Sequence, residues 1–201
     1  MKKYWHITWM LVVMLFTLAA CSDDDENEIV IDEAWKEINL AAFDARLQDA
    51  KTDTSLFTIN SESGNGQIIC KILKKGEGTE TIYYTSKVNC YYKGCFVTNE
   101  DGEVVADRDS VPVQGVVFDS CLRENGDDPA LMTGGTVIVV NGQQRRTTDG
   151  FATALQHMHE GDIWEVWVPY QLGYGVSGYG DNIKPYTTLV FQLEVKEIVE
   201  Q

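Results

Sequence analysis

Residues 161–175, GDIWEVWVPYQLGYG, carry the side chain best suited to chemistry. Tyr174 stands between Gly173 and Gly175. A tyrosine on glycine-flanked backbone presents its ring and hydroxyl to a ligand or to a core. A ring lying flat on the surface is the bland alternative. Asp119, in Phe118-Asp119-Ser120, is on its own a turn residue. His157 and His159 are close in sequence but have no acidic or cysteine partners at ligand spacing, so no metal is expected. Cys70, Cys90, Cys95 and Cys121 include no Cys-x-x-Cys pair. They allow up to two disulfides in three connectivities, or they are buried thiols acting as small apolar side chains. Cys90 and Cys95 share one predicted strand, which disfavours direct pairing unless it bends. Arg145 and Arg146 read as loop charge rather than an anion site.

The elements that must hold Tyr174 follow from hydrophobic spacing. Trp164, Val166 and Val168 fall on one face of a strand, and Ile163, Glu165 and Trp167 on the other, before Pro169 ends it. That period of two predicts a half-buried strand, with Trp167 outward. Phe151, Ala154, Leu155 and Met158 sit at i, i+3, i+4 and i+7 and predict a short helix, with Thr148 or Asp149 as N-cap. Further strands are predicted at 68–73, 86–96, 116–119, 136–140 and 188–198. In 86–96, Val88, Cys90 and Tyr92 share a face; in the last strand, Leu189, Phe191, Leu193 and Val195 do. Polar stretches at 98–115, 123–135 and 141–150 read as loops or turns. Residues 31–50 predict a helix packed on its own domain, through Ile31, Trp35, Ile38 and Ala42. Residues 61–66, SESGNG, then act as a linker. Mostly strands with one helix against a face is an α+β layout.

The first thirty residues are of a different kind. Lys2 and Lys3 precede an apolar run that ends Leu18-Ala19-Ala20-Cys21. Such a run is too short for a spanning helix and reads as a secretory signal over 1–20. Its ending resembles a bacterial lipobox, in which the cysteine becomes the lipidated first residue. Residues 21–30 then form an acidic tether, and SDDDENE resembles the surface-export signal of Bacteroidetes lipoproteins. Without 1–20 the chain has 16 − 2 = 14 basic and 31 acidic side chains, a formal charge of −17. That charge argues against nucleic acid or anionic lipid as a partner. Membrane attachment is expected through acyl chains on Cys21 and a cell-envelope location follows, with the outer membrane as the expected site.

Five segments, taken together and in order, resemble the FK-binding (FKBP-type) family of peptidyl-prolyl isomerases. They are VNCYYKG (88–94), FDS (118–120), DGFATALQHMHEGD (149–162), VPYQLGYG (168–175) and IKPYTTLVFQLEVKEI (183–198). The resemblance runs from about Gln67 to Val199. It implies a twisted antiparallel sheet wrapped around one short helix, here with a short N-terminal helical segment. The expected organisation is signal 1–20, tether 21–30, helical extension and linker 31–66, and FKBP-like domain 67–201.

By the same resemblance, Phe151 forms the floor of a pocket. Tyr92, Phe118, Val137 and Phe191 contribute walls, and Tyr179 and Ile183 lie on the following loop. Tyr174 offers its hydroxyl to a substrate carbonyl, the Thr148 N–H is a second donor, and Asp119 orders the pocket. Departures from the family pattern include Thr147-Thr148 where Val-Ile is usual, Val137 where an aromatic is common, and Lys184 before Pro185. The implied reaction is cis-trans isomerisation of X-Pro bonds in exported, proline-containing polypeptides. Rotation about that bond breaks amide resonance, a barrier of about 20 kcal/mol. An apolar pocket favours the less polar, twisted amide, so no cofactor, metal or nucleophile is needed. A monomer is expected, because family members that dimerise through N-terminal arms have longer arms. The alternative is a non-catalytic chaperone or protein-binding lipoprotein on the same fold.

Overall fold

A computed structural model describes residues 31–99, 101–105, 115–140 and 142–201. The signal, Cys21 and the acidic tether lie outside the described residues, as does most of the 98–115 excursion. Helix α1 (Glu33–Asp49) is followed by strands β1 (Leu56–Asn60), β2 (Gln67–Lys74), β3 (Lys87–Phe96), β4 (Val117–Cys121) and β5 (Ala130–Thr133). Then come β6 (Val137–Val140), β7 (Gln143–Arg146), helix α2 (Asp149–Leu155), β8 (Ile163–Val168) and β9 (Leu189–Glu200). One antiparallel sheet runs β1-β2-β8-β9-β3-β4, and β5 also pairs with β3. β4 takes Tyr92 to Cys95 of that strand, and β5 takes Lys87 to Cys90. β6 and β7 form a separate two-stranded sheet.

The α+β architecture, with its antiparallel sheet against a short helix, agrees with the sequence reading. Local boundaries differ. β1 lies inside the 31–66 segment expected to be helix and linker, and it pairs with β2 from Leu56↔Lys71 to Asn60↔Gln67. Residues 61–66 are the turn of that hairpin, closed by Ser61 N–H donating to Gly66 C=O at 2.9 Å. β5 lies inside a stretch read as loop, and β7 inside one read as turn. Both are only four residues long; β7 is wholly polar and β5 is a short apolar run inside a polar stretch, so backbone pairing more than a periodic pattern defines them.

The inner face of the sheet packs on α2. Val88, Cys90, Trp164, Val166, Val168 and Leu193 meet Phe151, Ala154 and Leu155 there. Thr148 caps α2, its hydroxyl accepting from Phe151 N–H at 3.3 Å. The helix lies close because Gly150 has no side chain; a Cβ there would stand 2.4 Å from Val168 Cγ1.

The outer face is also dry, which the half-buried pattern of β8 did not suggest. Helix α1 lies across it, and Ala42, Phe43 and Leu47 pack with Ile69, Val97, Trp167 and Val190. Trp167 is on the outer face as expected, but it is 2% exposed. Of the face its apolar spacing proposed, Ala42 is buried and Trp35 and Ile38 are half-buried, but Ile31 precedes the helix and is exposed, and the helix also buries the polar Asn39 and Arg46. Paired polar groups explain the difference. Arg46 Nη2 lies 2.7 Å from Glu165 Oε1, with both side chains buried. The same oxygen accepts from the Trp167 indole at 2.8 Å. Removing one partner of a buried ion pair strands the other charge, at a cost of about 3–5 kcal/mol. Arg46→Ala is therefore expected to lower the unfolding free energy by about that amount in urea. The joint replacement Arg46→Met with Glu165→Leu is expected to be far milder. A loss in Arg46→Ala no larger than in the joint variant would contradict this role for the pair.

Candidate functional site

A cavity of about 210 Å³ opens where β4 and β5 part company on the edge of β3. Its floor is Phe151, on the first turn of α2 and 3% exposed. The ring meets Phe191 of β9 edge-to-face at 5.3 Å and Tyr92 of β3 at 6.0 Å, both at 87°. Phe191 in turn meets Phe118 of β4 at 5.7 Å and 84°. Such edge-to-face pairs add about 0.5–1.5 kcal/mol each beyond area burial, so the walls are fixed relative to one another. Gly94 makes the arrangement possible. A Cβ there would stand 2.5 Å from Phe118 Cζ and 2.9 Å from Phe191 Cε1. A glycine inside a strand signals such close approach of another group.

The polar groups are few. The Tyr92 hydroxyl donates to Asp119 Oδ2 at 2.7 Å. Burial first, and that bond second, push the Tyr92 phenol well above its ordinary value. Burial also raises the Tyr174 phenol, helped by the neighbouring Tyr179 and Asp119. Tyr174 stacks on Tyr179 at 4.9 Å and 27°. Tyr174 lines the cavity, and its hydroxyl forms no hydrogen bond among the described residues. Two phenols held neutral beside one carboxylate suit hydrogen bonding, not proton transfer at neutral pH.

The structure brings Tyr92, Phe118, Asp119, Phe151, Tyr174 and Phe191 together around this cavity. It does not bring Val137, Thr148, Tyr179 or Ile183 to its lining. Val137 is 40% exposed because β6 pairs with β7 in a hairpin of its own. The wall assigned to it is built by Ala130 to Thr133 of β5, with Arg146 and Thr147. Sequence reasoning missed β5; its signal was the short apolar run Ala130-Leu131-Met132 inside a polar stretch. Thr148 sits just behind, capping α2, and nothing among the described residues accepts from its backbone N–H. Ile183 is buried in the core and closes a turn with Tyr179, each N–H donating to the other's carbonyl at 3.1 and 2.8 Å. Tyr179 itself is 65% exposed and reaches the site only through its stack on Tyr174.

The other candidates do not line this cavity. Cys70, Cys90, Cys95 and Cys121 are free thiols, and burial raises the pKa of each. His157 Nδ1 is within hydrogen-bond distance of the Thr153 carbonyl, at 2.9 Å. Among the described residues, no cluster of three His, Cys, Asp or Glu side chains could hold a metal ion.

The family model described as FKBP-type peptidyl-prolyl cis-trans isomerase matches residues 78–196, more than half of the chain. The chain belongs to this family. Among its relatives, the FKBP-type 22 kDa peptidyl-prolyl cis-trans isomerase of Escherichia coli is 34% identical over 129 residues, 64% of this chain and 48% of that one. The macrophage infectivity potentiator of Trypanosoma cruzi is 42% identical over 84 residues, 42% of this chain and 37% of that one. The chain thus spans less than half the length of these two relatives. The crystal structure of FkpA from Escherichia coli shares the fold with a TM-score of 0.58 at 20% identity, over 84% of this chain and 62% of that one. Helix α1, β1 and β2 precede the family match, yet β1 and β2 continue the same sheet.

Tyr92 links this geometry to pH. A phenol raised by folding adds stability that is complete below about pH 10 and is lost as pH climbs through its folded value. Alkaline titration followed by tyrosinate absorbance is expected to show a late-ionising phenol that Tyr92→Phe removes. An unchanged alkaline profile in Tyr92→Phe would contradict the assignment.

Proposed function

We propose that the protein is a peptidyl-prolyl cis-trans isomerase that seats the proline ring on Phe151 and twists the preceding amide between Tyr92, Phe118 and Phe191. The observation that carries this reading is the cavity itself, with an aromatic floor and walls and one carboxylate already bonded to Tyr92. The planar amide carries charge separation that water stabilises; the twisted amide carries less. Moving the bond from water to aromatic walls therefore narrows the gap between ground and transition states. The Tyr174 hydroxyl donates to a substrate carbonyl and the Thr148 N–H is the second donor. Asp119 holds the Tyr92 ring rather than acting as a base.

Substrates in this reading are exported polypeptides, met at the cell envelope. Lipidation at Cys21 and the acidic tether from 21 to 30 hold the domain at a membrane, the outer membrane by this account. The support is sequence alone: the basic start, the apolar run and the Leu-Ala-Ala-Cys ending. Cys21→Ser is expected to move the protein from the membrane to the soluble fraction. An unchanged membrane fraction would remove the anchor from the account.

A protease-coupled assay on an Ala-Pro-Phe-type peptide tests the activity. Loss of one hydrogen bond of about 1–1.5 kcal/mol corresponds to roughly tenfold, so Tyr174→Phe is expected to lower kcat/KM by about that factor. Phe151→Ala is expected to lower it further. A wild-type chain as inert as these variants would leave the non-catalytic chaperone or binding module as the reading that stands.

A further inference from the structure

Helix α1 does not line the cavity, yet it holds the two segments that shape it. One segment is 184–188, between the Tyr179–Ile183 turn and β9. Asp32 Oδ2 accepts from Lys184 Nζ at 2.8 Å. The Trp35 indole N–H donates to Thr187 Oγ1 at 2.9 Å, and that hydroxyl donates to the Lys184 carbonyl at 2.7 Å. Asn39, fully buried, accepts from Thr188 N–H at 2.9 Å through Oδ1 and from the Thr188 hydroxyl at 3.0 Å through its carbonyl. The Asn39 amide donates back to the Trp35 carbonyl at 2.8 Å.

Between these anchored residues lies Tyr186, with φ at 61°. Among the described residues it is the non-glycine in the left-handed region. A bulky residue persists there only where its surroundings impose it. Its backbone N–H donates to the Gly175 carbonyl at 3.0 Å. Gly175 is the residue after Tyr174. The imposed conformation of Tyr186 therefore fixes one end of the backbone that carries the Tyr174 ring.

The second segment is β4. Trp35 meets Phe96 edge-to-face at 5.5 Å, and Phe96 stacks on Phe118 at 5.2 Å and 30°. Phe118 lines the cavity. One indole thus supports a cavity wall through its ring and the Tyr174 loop through its N–H.

From these contacts we infer that Trp35 is a positioning residue of the isomerase site, setting Phe118 through Phe96 and Tyr174 through the 184–188 segment. The inference rests on the isomerase reading above. Trp35 lies outside the family-matched residues, so this support belongs to the part of the chain that precedes them.

The test compares Trp35→Ala, Trp35→Phe, Thr187→Val and Phe43→Ala in the full chain, purified in detergent. Phe43 is on the same helix but packs on the Trp167 side. Isomerase kcat and KM are measured separately, well below the melting temperature of every variant. Trp35→Ala is expected to lose roughly tenfold in kcat/KM. Trp35→Phe, which keeps a ring against Phe96, is expected to recover part of that. Thr187→Val, which leaves the indole ring in place but removes its acceptor together with the hydroxyl's bond to the Lys184 carbonyl, is expected to lose about threefold. Phe43→Ala is expected to melt lower yet stay within about twofold of wild type. Wild-type kcat/KM in Trp35→Ala, or an equal loss in Phe43→Ala, overturns the inference. Should Trp35→Ala fail to fold, a wild-type rate in Thr187→Val overturns it instead. A wild-type chain with no isomerase activity sinks the isomerase reading and this inference together; an active wild type beside an equally active Trp35→Ala sinks this inference alone.

Discussion

The contact on which the rest depends is the edge-to-face pairing of Phe151 with Phe191, 5.3 Å between centroids. It joins the first turn of α2 to the start of β9. The helix can come that near only because Gly150 leaves room for Val168, and the sheet can take the rings only because Gly94 leaves room for Phe118 and Phe191. Once that contact is made, Phe151 belongs both to the core and to the floor of the cavity. The cavity is thus a part of the core that the split between β4 and β5 leaves uncovered. This is why its residues cannot be divided into structural and functional sets: the same packing that stabilises the domain shapes the site.

Polar chemistry then does little inside the cavity and much outside it. Within, Tyr92 donates to Asp119, and no hydrogen bond is formed by the Tyr174 hydroxyl among the described residues. On the far face of the sheet, buried polar groups hold α1 in one register: Arg46 on Glu165, Asn39 on Thr188, Trp35 on Thr187. Each of those bonds has specific geometry, whereas Ala42 and Leu47 alone would allow the helix to slide. Apolar burial supplies adhesion there, and the hydrogen bonds supply position.

Much of this was legible in the sequence. The period of two in β8 and β9 assigns Trp164, Val166, Phe191 and Leu193 to the inner face, where they lie. Phe151 to Met158 carry the helical spacing of α2, although the helix itself stops at Leu155. The elements that were hidden fail for identifiable reasons. β5 is four residues long, and its pairing with β3 is visible only in the fold. Val137 enters the expected pocket through the family resemblance alone, and nothing in the local sequence shows that it opens the β6–β7 hairpin, where it is exposed. The apolar part of the buried face of α1 follows its spacing, but the polar part is hidden, because Asn39 and Arg46 count as solvent-facing in any hydrophobic pattern. Their partners, Thr188 and Glu165, are more than a hundred residues away in sequence. No local rule pairs residues at that separation.

The central claim is that a dry aromatic surface, and no proton transfer, drives rotation of the X-Pro bond. The most direct measurement is kcat/KM for a proline peptide in H₂O and in D₂O at matched pL. Rotation by differential binding moves no proton in its transition state, so the ratio is expected near ~1. A ratio of about two or more would place a proton in flight, contradict the account, and return Asp119 or Tyr174 to the role of acid or base.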